Sequence, residues 1–184
     1  MTTPATKPMV TPVEAVARGF SKYADFGGRA TRAEYWWWML FTSIVSTALN
    51  ALDRGFGGGI LQTVFSLAVL LPTFAVTFRR LHDIGKTGWW HFGWLGIVLI
   101  SWVTAGIMMI AAAAVKYGHT EGGWPADLSG ADLANWDTLS AFTPSIVVLI
   151  AAIVSTLVVL VWSIVWLARQ GESGQNRFGP DPRI

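Results

Sequence analysis

The segment RRLHDIGKTGWW, residues 79–90, gathers arginine, histidine, aspartate, lysine, glycine and tryptophan between two long apolar runs. Before it stands ILQTVFSLAVLLPTFAVTF (60–78). The second run, WWHFGWLGIVLISWVTAGIMMIAAAAV (89–115), begins at its two tryptophans, and neither run contains Asp, Glu, Lys or Arg. A bilayer core takes about 20 mostly apolar residues per helical span. The segment therefore reads as the turn of a membrane hairpin. Gly85 ends the first helix as its C-cap, Arg79 and Arg80 suit the negative end of that helix dipole, and Trp89 and Trp90 anchor the next helix at the interface.

The rest of the chain agrees with this reading. Of its 184 residues 53% are hydrophobic and 13% charged, about half the charged share of a soluble domain. Two further uncharged stretches qualify as spans, Tyr35–Leu52 and about Pro144–Leu167. The capping box Thr31–Glu34 starts the first of these a turn earlier. Pro72 removes a backbone donor in mid-helix and is expected to kink the 60–78 span as a matter of packing geometry. Ahead of the spans, Thr11 and Glu14 form another capping box with Pro12 at the first helical position. The helix that follows puts Val13, Val16, Ala17, Phe20 and Tyr23 on one face, as an amphipathic helix on the membrane surface would. The N-terminal stretch has no apolar region before a cleavage site, so the spans themselves are expected to direct insertion.

The expected fold is all-α: an integral membrane four-helix bundle with an N-terminal amphipathic interfacial helix. Residues 1–10 read as a disordered lead, 11–182 as a single membrane domain, 116–143 as an outer loop and 168–184 as a tail. The Asp53–Gly59 stretch DRGFGGG reads as a glycine-rich loop, and an interfacial turn of helix is read around Leu133 and Trp136. Basic residues mark the cytoplasmic side of a bilayer. Lys7, Arg18, Lys22, Arg29 and Arg32, then Arg79, Arg80 and Lys86, then Arg169, Arg177 and Arg183 group on one side; Arg54 and Lys116 alone fall on the other. Both termini are thus expected in the cytoplasm.

Three polar segments share that side: YADFGGRATRAEYWW (23–37), the hairpin at 79–90, and GESGQNRFGPDP (171–182). Their patterns, Y-x-x-F-x-G-R-x-x-R-x-E-Y-W, R-R-L-H-D-x-G-x-x-G-W-W and G-x-N-R-x-G-x-D-P in that order, resemble a bacterial inner-membrane family catalogued as domain of unknown function 805. The resemblance covers roughly residues 20–182 and implies a small multi-span protein of the bacterial inner membrane. It brings no substrate and no catalytic residue.

Arg29, Arg32, Arg79, Arg80, His82, Asp83, Asn176 and Arg177 are the candidate site residues, with Asp25, Glu34 and Asp181 as their structural partners. Paired with carboxylates, the arginines would form a clasp that holds the helices in register. Left in excess, they would bind an anionic phospholipid headgroup beside the bilayer. A membrane-embedded enzyme or a small-solute transporter using the same cluster is the alternative. His82 and Asp83 are the natural acid–base candidates, but neighbours in a helix do not face each other. The spans lack the ionisable groups that ion-coupled transport uses. His82, His91 and His119 are scattered and cysteine is absent, so no metal and no cofactor are expected. Nucleic acid is disfavoured because the basic residues flank spans. A homo-oligomer stays open: Ala151 with Ser155, and Ala152 with Thr156, allow close helix contact within or between subunits.

Overall fold

The computed structural model describes residues 9–56, 58–117 and 136–184. Among them lie five α-helices, α1 (Pro12–Ser21), α2 (Arg32–Phe56), α3 (Ile60–Asp83), α4 (Trp89–Tyr117) and α5 (Trp136–Ala168). No strand occurs among the described residues, only an isolated bridge between Asn176 and Gly179. Three helices are long and apolar enough to cross a membrane: α3, α4 over Trp89–Ala114 and α5 over Phe142–Ala168. The expectation of four spans is met for these three. α2 has the length, but Ser43, Ser46, Thr47 and Asn50 interrupt its apolar sequence. Residues 1–8 of the expected lead at 1–10, most of the outer loop and Leu133 lie outside the described residues. α5 starts before the expected Pro144, which sits inside it.

The chain divides into two compact units, Met1–His91 with Ile164–Ile184, and Phe92–Ser163. In the first, α2 and α3 run antiparallel, with Glu34 beside Arg79 at one end and Asp53 beside Leu61 and Gln62 at the other. Much of the expected DRGFGGG loop is the last turn of α2. Tertiary pairing explains this: the cap residue of α3, Gly59, has no side chain, and the buried Asp53 carboxylate accepts the Leu61 and Gln62 amides at 3.2 and 2.8 Å in its place. Such a carboxylate satisfies donors that every helix start leaves open.

α3 changes character at Pro72. Before it Leu61, Val64, Leu67, Leu70 and Leu71 are exposed; from it to Asp83 nine of the twelve residues are buried, all but Thr73, Phe74 and His82. The helix continues through the proline, whose missing N–H leaves the Ala68 carbonyl four residues back without its helical donor. The Tyr23 hydroxyl donates to that carbonyl. The core joins Ala30, Tyr35, Trp38, Val69, Val76, Leu81 and Leu167. Trp38 is fully buried and donates its indole N–H to Thr73 Oγ1 at 3.1 Å.

α1 begins at the expected capping box, with Glu14 N to Thr11 Oγ1 at 3.3 Å and Thr11 N to Glu14 Oε2 at 3.1 Å. Its inward residues are the small ones, Ala15 and Gly19, while Val13, Ala17 and Phe20 stay exposed. In the second unit α4 and α5 are also antiparallel. Trp102 Nε1 donates to Thr156 Oγ1 at 3.0 Å and Ser145 Oγ to the Met108 carbonyl at 2.9 Å. Ala152 is buried here, so part of the small-residue face of α5 serves contact within the chain.

A Cβ on Gly19 would stand 2.2 Å from the Trp38 ring, which is itself enclosed. Gly19→Val is expected to lower stability by about 1–3 kcal/mol, the usual cost of overpacking. Thermal unfolding in detergent measures it, and an unchanged midpoint would show that α1 does not seat on Trp38.

Candidate functional site: a buried arginine cluster

The last turn of α3 carries Arg79, Arg80 and Asp83, all buried. Spacings of three and four residues put Arg80 and Asp83 on one side of the helix, and Arg80 Nη1 meets Asp83 Oδ2 at 2.5 Å. The other carboxylate oxygen belongs to Arg29, which lies ahead of α2: its Nε and Nη2 stand 3.0 and 2.8 Å from Oδ1. One carboxylate thus carries two guanidinium groups through charge-assisted bonds.

The remaining donors of both arginines go to backbone carbonyls at the end of α5 and in the tail that follows it. Arg80 Nε reaches the Leu167 carbonyl at 2.9 Å and Nη2 that of Arg169. Helix ends leave such carbonyls without partners and with a negative dipole, so a cation fits there. Arg29 Nη1 reaches the Gly174 carbonyl at 2.5 Å and Nη2 that of Glu172. The Glu172 amide closes the circuit on the Asp83 carbonyl at 2.8 Å.

Arg79 points the other way, to Glu34 Oε1 at 3.2 Å. Arg18 of α1 stands 3.6 Å from Glu34 Oε2. The expected capping box at α2 is therefore half realised. Thr31 Oγ1 accepts the Glu34 amide at 3.1 Å, while the Glu34 carboxylate faces arginines. Arg79 is a buried charge that needs a counter-charge, whereas a cap amide is neutral. Arg79 Nε bonds the Ala75 carbonyl at 3.3 Å, and its Nη2, also buried, has no partner.

The α3–α4 turn follows the expected glycine logic. α3 ends at Asp83 with Ile84 as its cap, and Gly85 has φ +72°. Gly85 N bonds the His82 carbonyl at 3.1 Å and Lys86 N the Leu81 carbonyl at 2.9 Å. This is a Schellman closure with glycine one place beyond the cap.

His82 stacks flat on Phe178, with ring centroids 3.9 Å apart, and its Nδ1 lies 3.1 Å from the Gly28 carbonyl. Asn176 donates to the His82 carbonyl and to Glu172 Oε2, both at 2.9 Å, and accepts from Phe178 N. Arg177 donates to the Gly85 carbonyl at 3.0 Å. These contacts lay the tail against the α3–α4 turn.

Asp25 accepts from Gly27 N at 3.0 Å in a local turn, and Arg32 is exposed with no partner among the described residues. Asp181 pairs with Arg183 at 2.7 Å and accepts Gly174 N at 3.1 Å. Glu172, Phe178 and Arg183 were not candidates in the sequence. Glu172 acts mainly through its backbone, which residue identity does not advertise. Gly171 was missed as well: a Cβ there would lie 1.8 Å from Asp83 Oδ2. Among the described residues no group of three His, Asp or Glu side chains could hold a metal ion.

The motifs seen in the sequence thus converge on Asp83. The chain belongs to the family described as Protein of unknown function (DUF805), whose model matches residues 23–122. That match starts at the tyrosine that meets the Pro72 break, and stops before α5, so the tail lies beyond it. Relatives include Inner membrane protein YhaH of Escherichia coli (strain K12), 40% identical over 92 residues, covering 43% of this chain and 76% of the relative. Inner membrane protein YhaI of the same strain is 36% identical over 93 residues, covering 46% and 78%. No solved structure matches the chain.

The Asp181 carboxyl is held down from 3.8 to about 2, chiefly by its hydrogen bond from the Arg183 side chain, against the opposing effect of burial. A depressed value stabilises the folded state fully above about pH 4, and the contribution fades as pH falls toward 2. Amide hydrogen exchange at Gly174 and Arg183, whose N–H groups bond Asp181, should stay slow at pH 4 and quicken toward pH 2 beyond the intrinsic trend. In Asp181→Asn that acid-dependent step should vanish; its persistence would rule Asp181 out as the titrating group.

Proposed function

We propose that this chain is a four-span inner-membrane protein whose arginine cluster is a structural clasp on the cytoplasmic side. The fourth span is α2, joining the three apolar helices. Eleven of the thirteen basic residues flank spans on one side, which by the positive-inside tendency puts the segment before α2, the α3–α4 turn and the tail in the cytoplasm. α1 then lies at that interface, with Val13 and Phe20 exposed toward lipid.

The observation that carries the clasp is the sharing of Asp83. Arg29 from before α2 and Arg80 from α3 both bond it, and both also bond carbonyls of the tail. Three separate stretches of chain are fixed by one buried group. Chemistry at His82 and Asp83 is less favoured, because both oxygens of Asp83 are already occupied by guanidinium donors.

A second reading, an anionic phospholipid headgroup at the rim, is supported by Arg32, which is exposed and meets no partner among the described residues. One experiment separates the two. Removing one partner of a buried pair costs about 3–5 kcal/mol, so Arg80→Ala should sharply lower the melting temperature in detergent, whereas Arg32→Ala should not. An unchanged midpoint for Arg80→Ala would sink the clasp. Native mass spectrometry of Arg32→Ala that shows loss of a copurifying anionic lipid would favour the headgroup site.

A further inference from the structure

α2 carries its polar side chains on one side. Ser43, Ser46, Thr47, Asn50 and Arg54 recur every three or four residues, which aligns them along a helix with 3.6 residues per turn. Ser43, Thr47, Asn50 and Arg54 are exposed. Glu34 and Trp38, by which α2 packs within its unit, fall on another side and are buried, and Ser46, one turn after the buried Thr42, is half-buried at the edge of the stripe. Thr47 Oγ1 donates back to the Ser43 carbonyl at 2.9 Å. Among the described residues the hydroxyls of Ser43 and Ser46 and the amide of Asn50 meet no partner.

This inference rests on the reading of α2 as a span. Acyl chains offer no hydrogen bonds, so an amide facing them stays unsatisfied, and polar side chains in spans bond across helices instead. We propose that the stripe is the contact surface for a second copy of the chain, α2 against α2 about a two-fold axis, with Asn50 paired to Asn50.

Within the span the stripe consists of the uncharged Ser43, Ser46, Thr47 and Asn50 and is self-complementary, which favours a second copy over an unrelated partner; Arg54 lies beyond the end of the span at Leu52, where water takes its charge. A carboxamide both donates and accepts, so two identical ones satisfy each other. A two-fold axis brings identical residues together. Serine and threonine beside it are small enough for close helix approach. The same polar residues that make α2 less apolar than α3, α4 and α5 are thereby given partners.

The chain has no cysteine, so single-cysteine variants of the full-length protein report one position each. In membrane vesicles oxidised with copper phenanthroline, Ser43→Cys and Thr47→Cys should form disulfide-linked dimers. Ile44→Cys and Leu52→Cys, exposed on another side of α2, should stay monomeric. Asn50→Leu placed in the Thr47→Cys chain should reduce the crosslinked fraction about tenfold at low protein density, the effect of losing one hydrogen-bonded pair in a membrane. Equal crosslinking at the control positions, none at the stripe, or a crosslinked fraction indifferent to Asn50→Leu would overturn the proposal. A membrane-impermeant maleimide separates the two ways of failing. If it labels Thr47→Cys, α2 is not in the bilayer and both readings fall; a shielded thiol that does not crosslink removes the dimer surface alone.

Discussion

A single buried carboxylate, Asp83, stands between two guanidinium groups at the end of α3. Burying a charge is costly unless it is paired and its other bonding positions are filled. That constraint fixes much of the first unit. Arg29 must reach Asp83 from the segment before α2, and Arg80 must present the rest of its donors to the carbonyls that end α5. The tail must then curl so that the Glu172 and Gly174 carbonyls face Arg29. Each requirement places a stretch of backbone, and Gly171 leaves the space that the carboxylate occupies.

The second carboxylate, Glu34, does related work between α1, α2 and α3. Arg79 lies on one of its oxygens and Arg18 near the other. Around both carboxylates the structure repeatedly uses groups that a helix leaves open. Arg80 covers carbonyls at the end of α5, Asp53 covers the amides of α3, and Tyr23 covers the carbonyl that Pro72 strands. In a chain with so few charges, these polar groups are concentrated at helix ends and at one proline, where the backbone itself lacks partners.

The family relationship fits this picture. The matched region takes in the segment before α2, the start of α2 and the end of α3, which together supply Arg29, Glu34, Arg79, Arg80 and Asp83. The tail, beyond the match, contributes carbonyl oxygens to the arginines, with the Phe178 ring under His82 and the Asn176 and Arg177 side chains on the turn. A tail that binds through its backbone is less constrained in residue type than the arginines it meets.

The helical class, the apolar spans, the capping box of α1 and the glycine turn after α3 were legible in the sequence, because each depends on short-range spacing or composition. The three polar segments could be named as one group for the same reason: they flank spans on one side. Which arginine takes which carboxylate was not legible, since Arg29 and Asp83 lie 54 residues apart and any of several pairings satisfies charge. Nor could the sequence reveal that Glu34 would leave its cap amide for Arg79, that α2 would run into DRGFGGG as far as Phe56 so that Asp53 could cap α3, or that the inner face of α1 would be Ala15 and Gly19. Those outcomes depend on which backbone atoms and rings arrive from elsewhere in the chain. Local periodicity decides where helices form; only the packed chain decides which buried charges and open helix ends meet.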